Sequence, residues 1–420
     1  MNLTEAIDPD YGIIIRVNEH RTLAFDIPIH IFSAELCNTS IFYSAKATRN
    51  NGGASLNREA AFKAAVGESL ERYCLASGNR KSWVFASSNE LENPCNLDFF
   101  PQIPQILQDS DPSGYVEFSK DLKIDWVLGI NLFTNQPTWL PANLIYVPYI
   151  PSQGIFFDRP ISTGAALADS FNKAALLGLL EVIERDAFML WWLSYCPKGF
   201  PISKSILKEA GIYHLLEIAN QKGLSWHVFD LTNDVEIPVV VAISRARNSE
   251  FGASLSIGAA ARLSLKDAIK KAVCEMAHTR AWQNAMLSAQ DSYNIELSTI
   301  NFENISDHPL FWAKYRPEKI WFESIAEKEY SQKIKITSLE NLVYHLANKG
   351  FDIYAVDITS DDVRNLGAIV VKVIVPKLHP LEVGNFLHLK SSRLAKAIGA
   401  SIEDITKIAN SINHLPHPFP

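Results

Sequence analysis

Cysteine is scarce in this 420-residue sequence: there are five, and no two of them form a Cys-x-x-Cys pair. Structural zinc sites are built from such pairs, so the spacing argues against a zinc-stabilised domain. Scattered cysteines are typical of free thiols in a reducing compartment. The amino terminus has no basic segment followed by an apolar one, which argues against a secretory signal. We therefore expect a cytoplasmic protein.

Long apolar runs and basic stripes are absent as well. The most apolar stretch, residues 174–192, is interrupted by a group of charges and is a poor membrane span. Lys and Arg number 39 against 46 Asp and Glu, a net charge of −7, and no basic stripe favours nucleic acid. Phosphate loops of the type GxxxxGK[ST] and dinucleotide turns of the type GxGxxG are missing. The sequence thus predicts neither membrane insertion nor nucleic-acid binding, and it lacks the common nucleotide-binding motifs.

The sequence does contain the pattern Glu-x-x-Glu-Arg twice, each time in an apolar helical stretch. The copies are Glu68, Glu71 and Arg72, and Glu181, Glu184 and Arg185. Positions i, i+3 and i+4 share one face of a helix, so each copy presents two carboxylates beside a guanidinium. Charges are rare in apolar helices unless they are paired or bind a ligand. The duplication predicts Mg²⁺ ions held against a triphosphate, with the arginines facing phosphate; intrahelical Glu–Arg ion pairs are the alternative.

A weaker third copy aligns on Glu275, where His278 and Thr279 replace the second glutamate and the arginine. A helix-capping residue stands at the same distance before the first glutamate of every copy: Asn57, Ser170 and Ser264. A glycine-containing segment of small residues precedes every cap: NGGAS at 51–55, STGAA at 162–166 and SIGAA at 256–260. These coincidences predict a repeated strand-loop-helix unit; three amphipathic helices that agree by chance are the alternative.

Helix and strand patterns alternate along the whole chain, which predicts an α/β or α+β fold with mixed β-sheets. The predicted helices cover 57–76, 171–194, a region near 205–222, 264–284 and a region near 391–399. We expect a single domain over residues 1–420. Within it, segments 85–122 and 287–345 are expected to be rich in loops, and residues 414–420 to form a tail.

The segments around these glutamates resemble the YcaO family, whose members use ATP to act on peptide backbone amides. The segments that carry the resemblance are GESLERY, STGAALADSFNKAALLGLLEVIERDAFMLWWL, DPDYGIIIRV, DWVLGINL and VDITSDDVRNLGAIVVKVIVP. The resemblance implies a YcaO-like fold, ATP and Mg²⁺ as cofactors, and ATP-dependent cyclodehydration. In that reaction a Cys, Ser or Thr side chain of a ribosomally made precursor peptide attacks the preceding amide. Phosphorylation of the amide oxygen and loss of phosphate then leave a thiazoline or oxazoline.

Residue roles follow from the resemblance by motif position. It implies that the Mg²⁺ ligands are Glu68, Glu71, Glu181 and Glu184. It implies that the nucleotide-binding residues are Arg72, Arg185, Asp169, Lys271 and Glu275. Three positions depart from the family pattern: Ala64 stands where many relatives have serine, Asp169 replaces a frequent asparagine, and Lys173 replaces a frequent acid.

The last residues, PHPFP, form a terminal PxPxP from Pro416, Pro418 and Pro420. Alternating prolines stiffen an extended segment and so place its end at low entropic cost. This ending resembles that of azoline-forming, stand-alone cyclodehydratases, in which it reaches into the active site. We therefore expect these prolines in the catalytic site, with Pro420 supplying a carboxylate; a disordered proline-rich tail is the alternative.

Partners are also implied by the resemblance. No segment resembles a leader-binding domain, and the YcaO-like region begins within the first dozen residues. We therefore expect a precursor peptide, a separate E1-like (ThiF-type) protein and a homodimer. A flavin-dependent azoline dehydrogenase is an optional further partner that would act afterwards. Three other functions stay open: thioamidation or macroamidine formation, a non-catalytic nucleotide-binding scaffold, and a structural protein with ordinary ion pairs.

Overall fold

The computed structural model describes residues 1–41, 43, 46–78, 80–104, 115–194, 199–289, 302, 304–316, 336–384 and 387–419. Thirteen β-strands and ten α-helices alternate along these residues. The strands are β1 Ile14–His20, β2 His30–Leu36, β3 Asn50–Ser55, β4 Val84–Ala86, β5 Ile124–Asn131, β6 Pro137–Pro141, β7 Ala165–Ala168, β8 Phe200–Pro201, β9 Leu224–Asp230, β10 Val239–Ala246, β11 Leu255–Ala261, β12 Tyr354–Asp357 and β13 Ile369–Ile374. The helices are α1 Arg58–Ala76, α2 Phe171–Leu193, α3 Lys204–Glu209, α4 Tyr213–Gln221, α5 Leu265–Ala289, α6 Asp307–Lys314, α7 Leu339–Asn348, α8 Asp361–Asn365, α9 Ser392–Ile398 and α10 Ile405–Ser411.

The strands form three sheets, with the orders β1-β2-β3, β11-β10-β9-β8 and β4-β5-β12-β13-β7, and β6 pairs with β5. An α+β fold is thereby confirmed. The named strands pair antiparallel throughout the described residues, whereas the alternation of helices and strands favours sheets of mixed direction. Antiparallel pairing arises because hairpins such as β9–β10 and β12–β13 build the sheets.

The three long helices confirm the predicted boundaries closely, and two of the predicted caps form. Asn57 accepts a hydrogen bond from the Ala60 N–H at 2.9 Å, and Ser264 accepts one from Asp267 at 3.2 Å. Ser170 occupies the cap position of α2 without a side-chain cap bond. The single helix predicted near 205–222 is wrong: it is two helices, α3 and α4. Gly211 separates them with a φ of 73°, which a glycine adopts at little cost.

The small-residue segments 51–55 and 256–260 lie within strands β3 and β11, and the segment 162–166 leads into strand β7, which begins at Ala165. Helices α1 and α5 pack so closely on their strands that side chains would not fit between them. A Cβ on Gly53 would lie 2.2 Å from the backbone nitrogen of Ala65, and one on Gly258 would lie 2.1 Å from that of Met276. Close helix–strand contact is therefore what the glycines permit.

The three strand–helix units close into a ring. Each helix packs on its own strand, and each also contacts the strand of the next unit: α1 contacts β7, α2 contacts β11 and α5 contacts β3. We call this arrangement the three-unit ring. It confirms the predicted repeat, and it brings the helix faces that carry the motifs toward a common region.

Parts of the predicted loop-rich segments, residues 105–114, 290–301 and 317–335, lie outside the described residues. The described part of 287–345 contains α6 and the start of α7. None of the helices in the described ranges combines the length and the apolar character that a membrane span requires.

A buried ion pair joins the middle of α2 to α9. Asp186 is fully buried and accepts hydrogen bonds from Arg393 Nε and Nη2 at 2.5 and 2.6 Å. The backbone N–H of His379 and the side-chain amide of Asn233 also donate to Asp186. Every lone pair of a buried carboxylate needs such partners, because the charge is otherwise without solvation.

Replacement of Arg393 by methionine is expected to destabilise the protein by about 3–5 kcal/mol, since it leaves the Asp186 charge buried and unpaired. Urea denaturation followed by circular dichroism measures this. Arg364→Met is the matched control: Arg364 pairs with Asp357 at the surface at 2.9 Å, and its loss is expected to cost below about 1 kcal/mol. If both substitutions lowered the free energy of unfolding equally, the buried pair would stabilise the protein no more than the surface pair does.

Candidate functional site

The second acidic position of each motif reaches across the ring to the strand of the next unit. Glu71 Oε1 accepts a hydrogen bond from the Leu167 N–H of β7 at 2.7 Å. Glu184 Oε2 accepts one from the Ala261 N–H at the end of β11 at 3.0 Å. Each carboxylate is therefore oriented by backbone of the following unit, and its position depends on closure of the ring.

The third unit repeats this contact with a different side chain. His278 occupies the position of Glu71 and Glu184 on α5 and lies against Gly52 of β3. A Cβ at Gly52 would lie 2.4 Å from Nε2 of His278, so glycine makes room for the ring. The histidine closes the ring where a third carboxylate would add negative charge.

The first glutamate of each motif pairs with the arginine on its own helix. Arg72 Nη2 donates to Glu68 Oε1 at 3.0 Å, and Arg185 Nη2 donates to Glu181 Oε1 at 3.3 Å. The other oxygen of Glu181 accepts a hydrogen bond from the Gly164 N–H at 2.9 Å. The intrahelical pairs expected as the alternative are thus present, together with the contacts between units.

Two of the glutamates have raised pKa values. Burial raises the pKa of Glu71 to about 8, and the negative charges of Glu68 and Glu181 add to the rise although Arg72 opposes it. Burial likewise raises the pKa of Glu184 to about 7, with Glu181 adding to it and Arg185 opposing. Carboxylates of α1 and α2 therefore lie close enough to repel each other. A buried acidic group of this kind is short of positive charge.

The shortage of positive charge around Glu71 and Glu184 is compatible with binding of Mg²⁺ together with a nucleotide. No group of three or more His, Cys, Asp or Glu side chains among the described residues is arranged to hold a metal ion by itself. Mg²⁺ usually takes one or two carboxylates and completes its shell with water and substrate phosphates, so a full protein cage is not what it requires. Hard carboxylate oxygens with raised pKa values are suitable donors for such an ion.

Arg185 is the cation of this site with spare donors. Its Nε lies 3.8 Å from Glu184 Oε1, but Nε and Nη1 are buried without a hydrogen-bond partner in the described part of the chain. One face of the guanidinium stacks on the ring of Phe419, whose centroid is 3.9 Å from the guanidinium carbon. An arginine with buried, unpaired donors can donate hydrogen bonds to phosphate or another anion.

The remaining predicted nucleotide residues differ in their surroundings. Lys271 and Glu275 form an ion pair on α5. Burial alone would raise the pKa of Glu275, but Lys271 and His278 hold it well below its usual range. Asp169 is exposed at the end of β7 and accepts a hydrogen bond from Lys173 at 2.7 Å, so it does not lie among the buried glutamates.

The tail is ordered where the structure describes it, which contradicts the alternative of a disordered segment. Pro418 and Phe419 are buried, and the Pro416 carbonyl accepts a hydrogen bond from Trp312 Nε1 at 2.6 Å. The contact of Phe419 with Arg185 brings the tail to the motif of α2. Pro420 lies outside the described residues, and the catalytic role of the three prolines stays a prediction.

Two basic residues beside the glutamates escape sequence reasoning. Lys372 of β13 is 1% exposed and donates to the carbonyls of Ile161 and Thr163 at 2.6 and 2.5 Å. Burial lowers its pKa to about 7, although Glu181 opposes the shift. Arg262 follows β11 and lies near enough to Glu184 and Lys271 to affect the pKa of each. For Lys372, the signal available in the sequence was a lone lysine within the apolar segment GAIVVKVIVP.

Lys372 and Arg185 line one cavity of about 70 Å³ between α2 and β13. Its wall is otherwise largely apolar, with Val182, Val373 and Val375 among the lining residues, and His379 and Asp158 add polar groups. The cavity adjoins the acidic cluster and has three basic side chains on its wall, those of Arg159, Arg185 and Lys372. A small polar or anionic group is what such a wall would accommodate.

Known proteins resemble the chain over most of its length. The profile of a family described as YcaO cyclodehydratase, ATP- and Mg²⁺-binding, matches residues 52–379. An uncharacterised protein of Methanothermobacter thermautotrophicus is 27% identical over 355 residues, which cover 82% of this chain and 86% of that protein.

Several solved structures share the fold. A heterocyclase in complex with substrate and cofactor superposes with a TM-score of 0.72 at 19% identity; the match covers 99% of this chain and 56% of that one. The present chain thus spans little more than half the length of that heterocyclase. The Escherichia coli microcin synthetase McbBCD complex contains a chain with a TM-score of 0.61 at 17% identity, with 96% of both chains covered. Since the family profile covers well over half of the sequence, the chain belongs to the ATP- and Mg²⁺-binding YcaO family.

Proposed function

We propose that this protein is an ATP-dependent cyclodehydratase that converts Cys, Ser or Thr of a ribosomally synthesised precursor peptide into thiazoline or oxazoline, with release of ADP and phosphate. The observation that carries the proposal is the convergence of glutamates from α1 and α2, two of which, Glu184 and Glu71, have pKa values raised to about 7 and 8. Membership of the YcaO family supports the same chemistry.

The chemistry needs a better leaving group than an amide oxygen, and phosphorylation by ATP supplies one. In this proposal Mg²⁺ offsets the charge of the phosphates when it is bound. Its protein ligands would be Glu68, Glu71, Glu181 and Glu184. The residues proposed to contact the nucleotide are Arg72, Arg185, Asp169, Lys271 and Glu275.

The protein's own part is to position and to stabilise charge, as in phosphoryl transfer generally. The backbone donors of Leu167 and Ala261 hold the carboxylates of Glu71 and Glu184 in place before a ligand arrives. The spare donors of Arg185 are buried, so an anion that reaches them meets little competition from water. The prolines of the tail are proposed to bring a base, or an organiser of the substrate amide, to the same place.

Other proteins are required by the proposal. The heterocyclase with which the fold superposes is described as a complex with substrate, and the microcin synthetase as a complex of several proteins. We propose that the precursor peptide is presented by a separate E1-like (ThiF-type) protein, that the chain forms a homodimer, and that a flavin-dependent dehydrogenase oxidises the azolines afterwards.

Mass spectrometry separates this function from thioamidation, and an assay of phosphate release separates it from a non-catalytic scaffold. After incubation with precursor, partner and Mg-ATP, cyclodehydration removes the mass of one water for each ring. Thioamidation would instead add the mass difference between sulfur and oxygen. A non-catalytic scaffold would bind nucleotide without peptide-dependent release of phosphate.

Glu184→Gln and Glu68→Gln are each expected to lower ATP turnover by at least about 100-fold, because each removes a carboxylate proposed to bind Mg²⁺. Circular dichroism should show an unchanged fold. Glu59→Gln on the same helix α1 is the control, since Glu59 is exposed and pairs only with Lys63 in the described residues. Wild-type turnover in Glu184→Gln or Glu68→Gln would refute the assignment of these residues.

The effect of Mg²⁺ on stability is expected to grow with pH. The raised pKa values of Glu71 and Glu184 mean that the folded protein binds these protons more tightly than the unfolded chain. Their contribution to stability is therefore complete below the ordinary value of 4.5 and is lost as pH rises through about 7 to 8.

A divalent ion needs the deprotonated carboxylates and replaces the lost protons. Mg²⁺ should consequently raise the melting temperature more at about pH 9 than at about pH 6, as measured by differential scanning calorimetry. Glu184→Gln should weaken this dependence, whereas Glu59→Gln should leave it intact. A shift by Mg²⁺ that is the same at both pH values would contradict the prediction.

A further inference from the structure

The proline-rich tail is held by its carbonyl groups. Trp192 Nε1 donates to the carbonyl of Leu415 at 3.0 Å, and Trp312 Nε1 donates to that of Pro416 at 2.6 Å. The ring of His417 contacts the Glu382 carbonyl through Nε2 at 2.6 Å. Two indoles from separate helices, α2 and α6, thus grip consecutive residues of the tail.

Indole is the donor that this segment needs. Pro416 and Pro418 have no N–H, so the tail cannot join a sheet by a regular ladder of hydrogen bonds. Its main remaining backbone hydrogen-bonding groups are the carbonyls. Indole N–H is a donor without acceptor character, and its large ring packs against the apolar face of proline. The Trp192 and Trp312 rings pack edge to face with their centroids 5.6 Å apart, and this packing fixes the direction of both N–H groups.

The tail then delivers an aromatic ring to the acidic site. Phe419 is 3% exposed, packs on Phe188 with ring centroids 5.0 Å apart and covers one face of the Arg185 guanidinium. A guanidinium covered on its face keeps its donors in the plane, pointing outward from its edge. Nε and Nη1 of Arg185 are the buried donors without a partner in the described residues.

We propose that Trp192 and Trp312 are positioning residues, which fix the register of the tail so that Phe419 stacks on Arg185 and aims its free donors at phosphate. This inference rests on the proposed function, in which Arg185 meets the nucleotide. A shift of the tail by one residue would exchange Phe419 for a proline over the guanidinium. Among the described residues, the polar contacts left to orient Arg185 would then be its long ones with Glu181 and Glu184, at 3.3 and 3.8 Å.

The test is a double-mutant cycle through Arg185. Trp312→Phe keeps an aromatic ring but removes the N–H, and it is expected to lower kcat/KM for ATP by about tenfold in the peptide-dependent reaction. In an Arg185→Lys background, which keeps the charge but loses the planar stack, the same substitution should cost less than about twofold. If Trp312 only supports the fold, its factor will be the same in both backgrounds, and the proposal is overturned.

Trp126→Phe is the matched control. Trp126 is also fully buried, and its Nε1 donates to the Ala86 carbonyl at 2.9 Å, far along the chain from the tail. Its replacement should lower the melting temperature to a similar extent and act equally with or without Arg185. A loss of kcat/KM in Trp126→Phe as large as that in Trp312→Phe would point to general destabilisation and overturn the proposal.

A second measurement does not depend on activity. The effects of Trp312→Phe and Phe419→Leu on the equilibrium constant for unfolding should be non-additive by at least about threefold, because the indole places the phenyl ring. Additive effects would overturn the proposed positioning of Phe419 by Trp312, even if ATP is turned over normally. Conversely, a wild-type protein that binds no Mg-ATP refutes the proposed function, while the unfolding cycle still decides whether Trp312 positions Phe419. Should Trp312→Phe fail to fold, the cycle of Trp192→Phe with Phe419→Leu decides it in the same way.

Discussion

Burial of like charges is the constraint on which the rest of this structure depends. Glu71 and Glu184 are placed where burial raises their pKa values, and neighbouring carboxylates add to the effect: Glu68 and Glu181 act on Glu71, and Glu181 acts on Glu184. A fold tolerates such a cluster when backbone donors orient each carboxylate and when a ligand can neutralise it. The N–H groups of Leu167 and Ala261 provide the first condition. A divalent ion with a polyphosphate is proposed to provide the second.

The three-unit ring explains how these donors come to be in place. Helices α1 and α2 each orient an acidic side chain, Glu71 and Glu184, with the strand of the next unit, so neither unit can form its part of the site alone. Small residues in β3, β7 and β11 make the close packing possible, as the positions of Gly53 and Gly258 show. The third unit has His278 in place of a glutamate and pairs Glu275 with Lys271, which limits the negative charge of the ring.

The basic side chains and the tail surround this acidic centre in layers. Lys372 lies beneath Glu181 and binds the carbonyls that lead into Gly164, the donor to Glu181. Arg185 lies between the glutamates and Phe419, so the tail and the acidic cluster share one cation. The buried pair of Asp186 and Arg393, one residue further along α2, ties the same helix to α9. The helix that carries the second motif is therefore fixed on several sides, which suits a site that must be organised before its ligand binds.

Local sequence determined the long helices, two of their caps, the repeated glutamates and the membership of the YcaO family, because capping and helix periodicity act over a few residues. It did not reveal that the small-residue segments lie within or lead into strands, that the sheets are antiparallel, or that Gly211 divides one predicted helix into two. The partners of Glu71, Lys372 and Arg185 were decided only by tertiary structure. Those contacts join residues that are about 100 to more than 200 positions apart in the chain, and their pairing follows from ring closure, which no local pattern encodes.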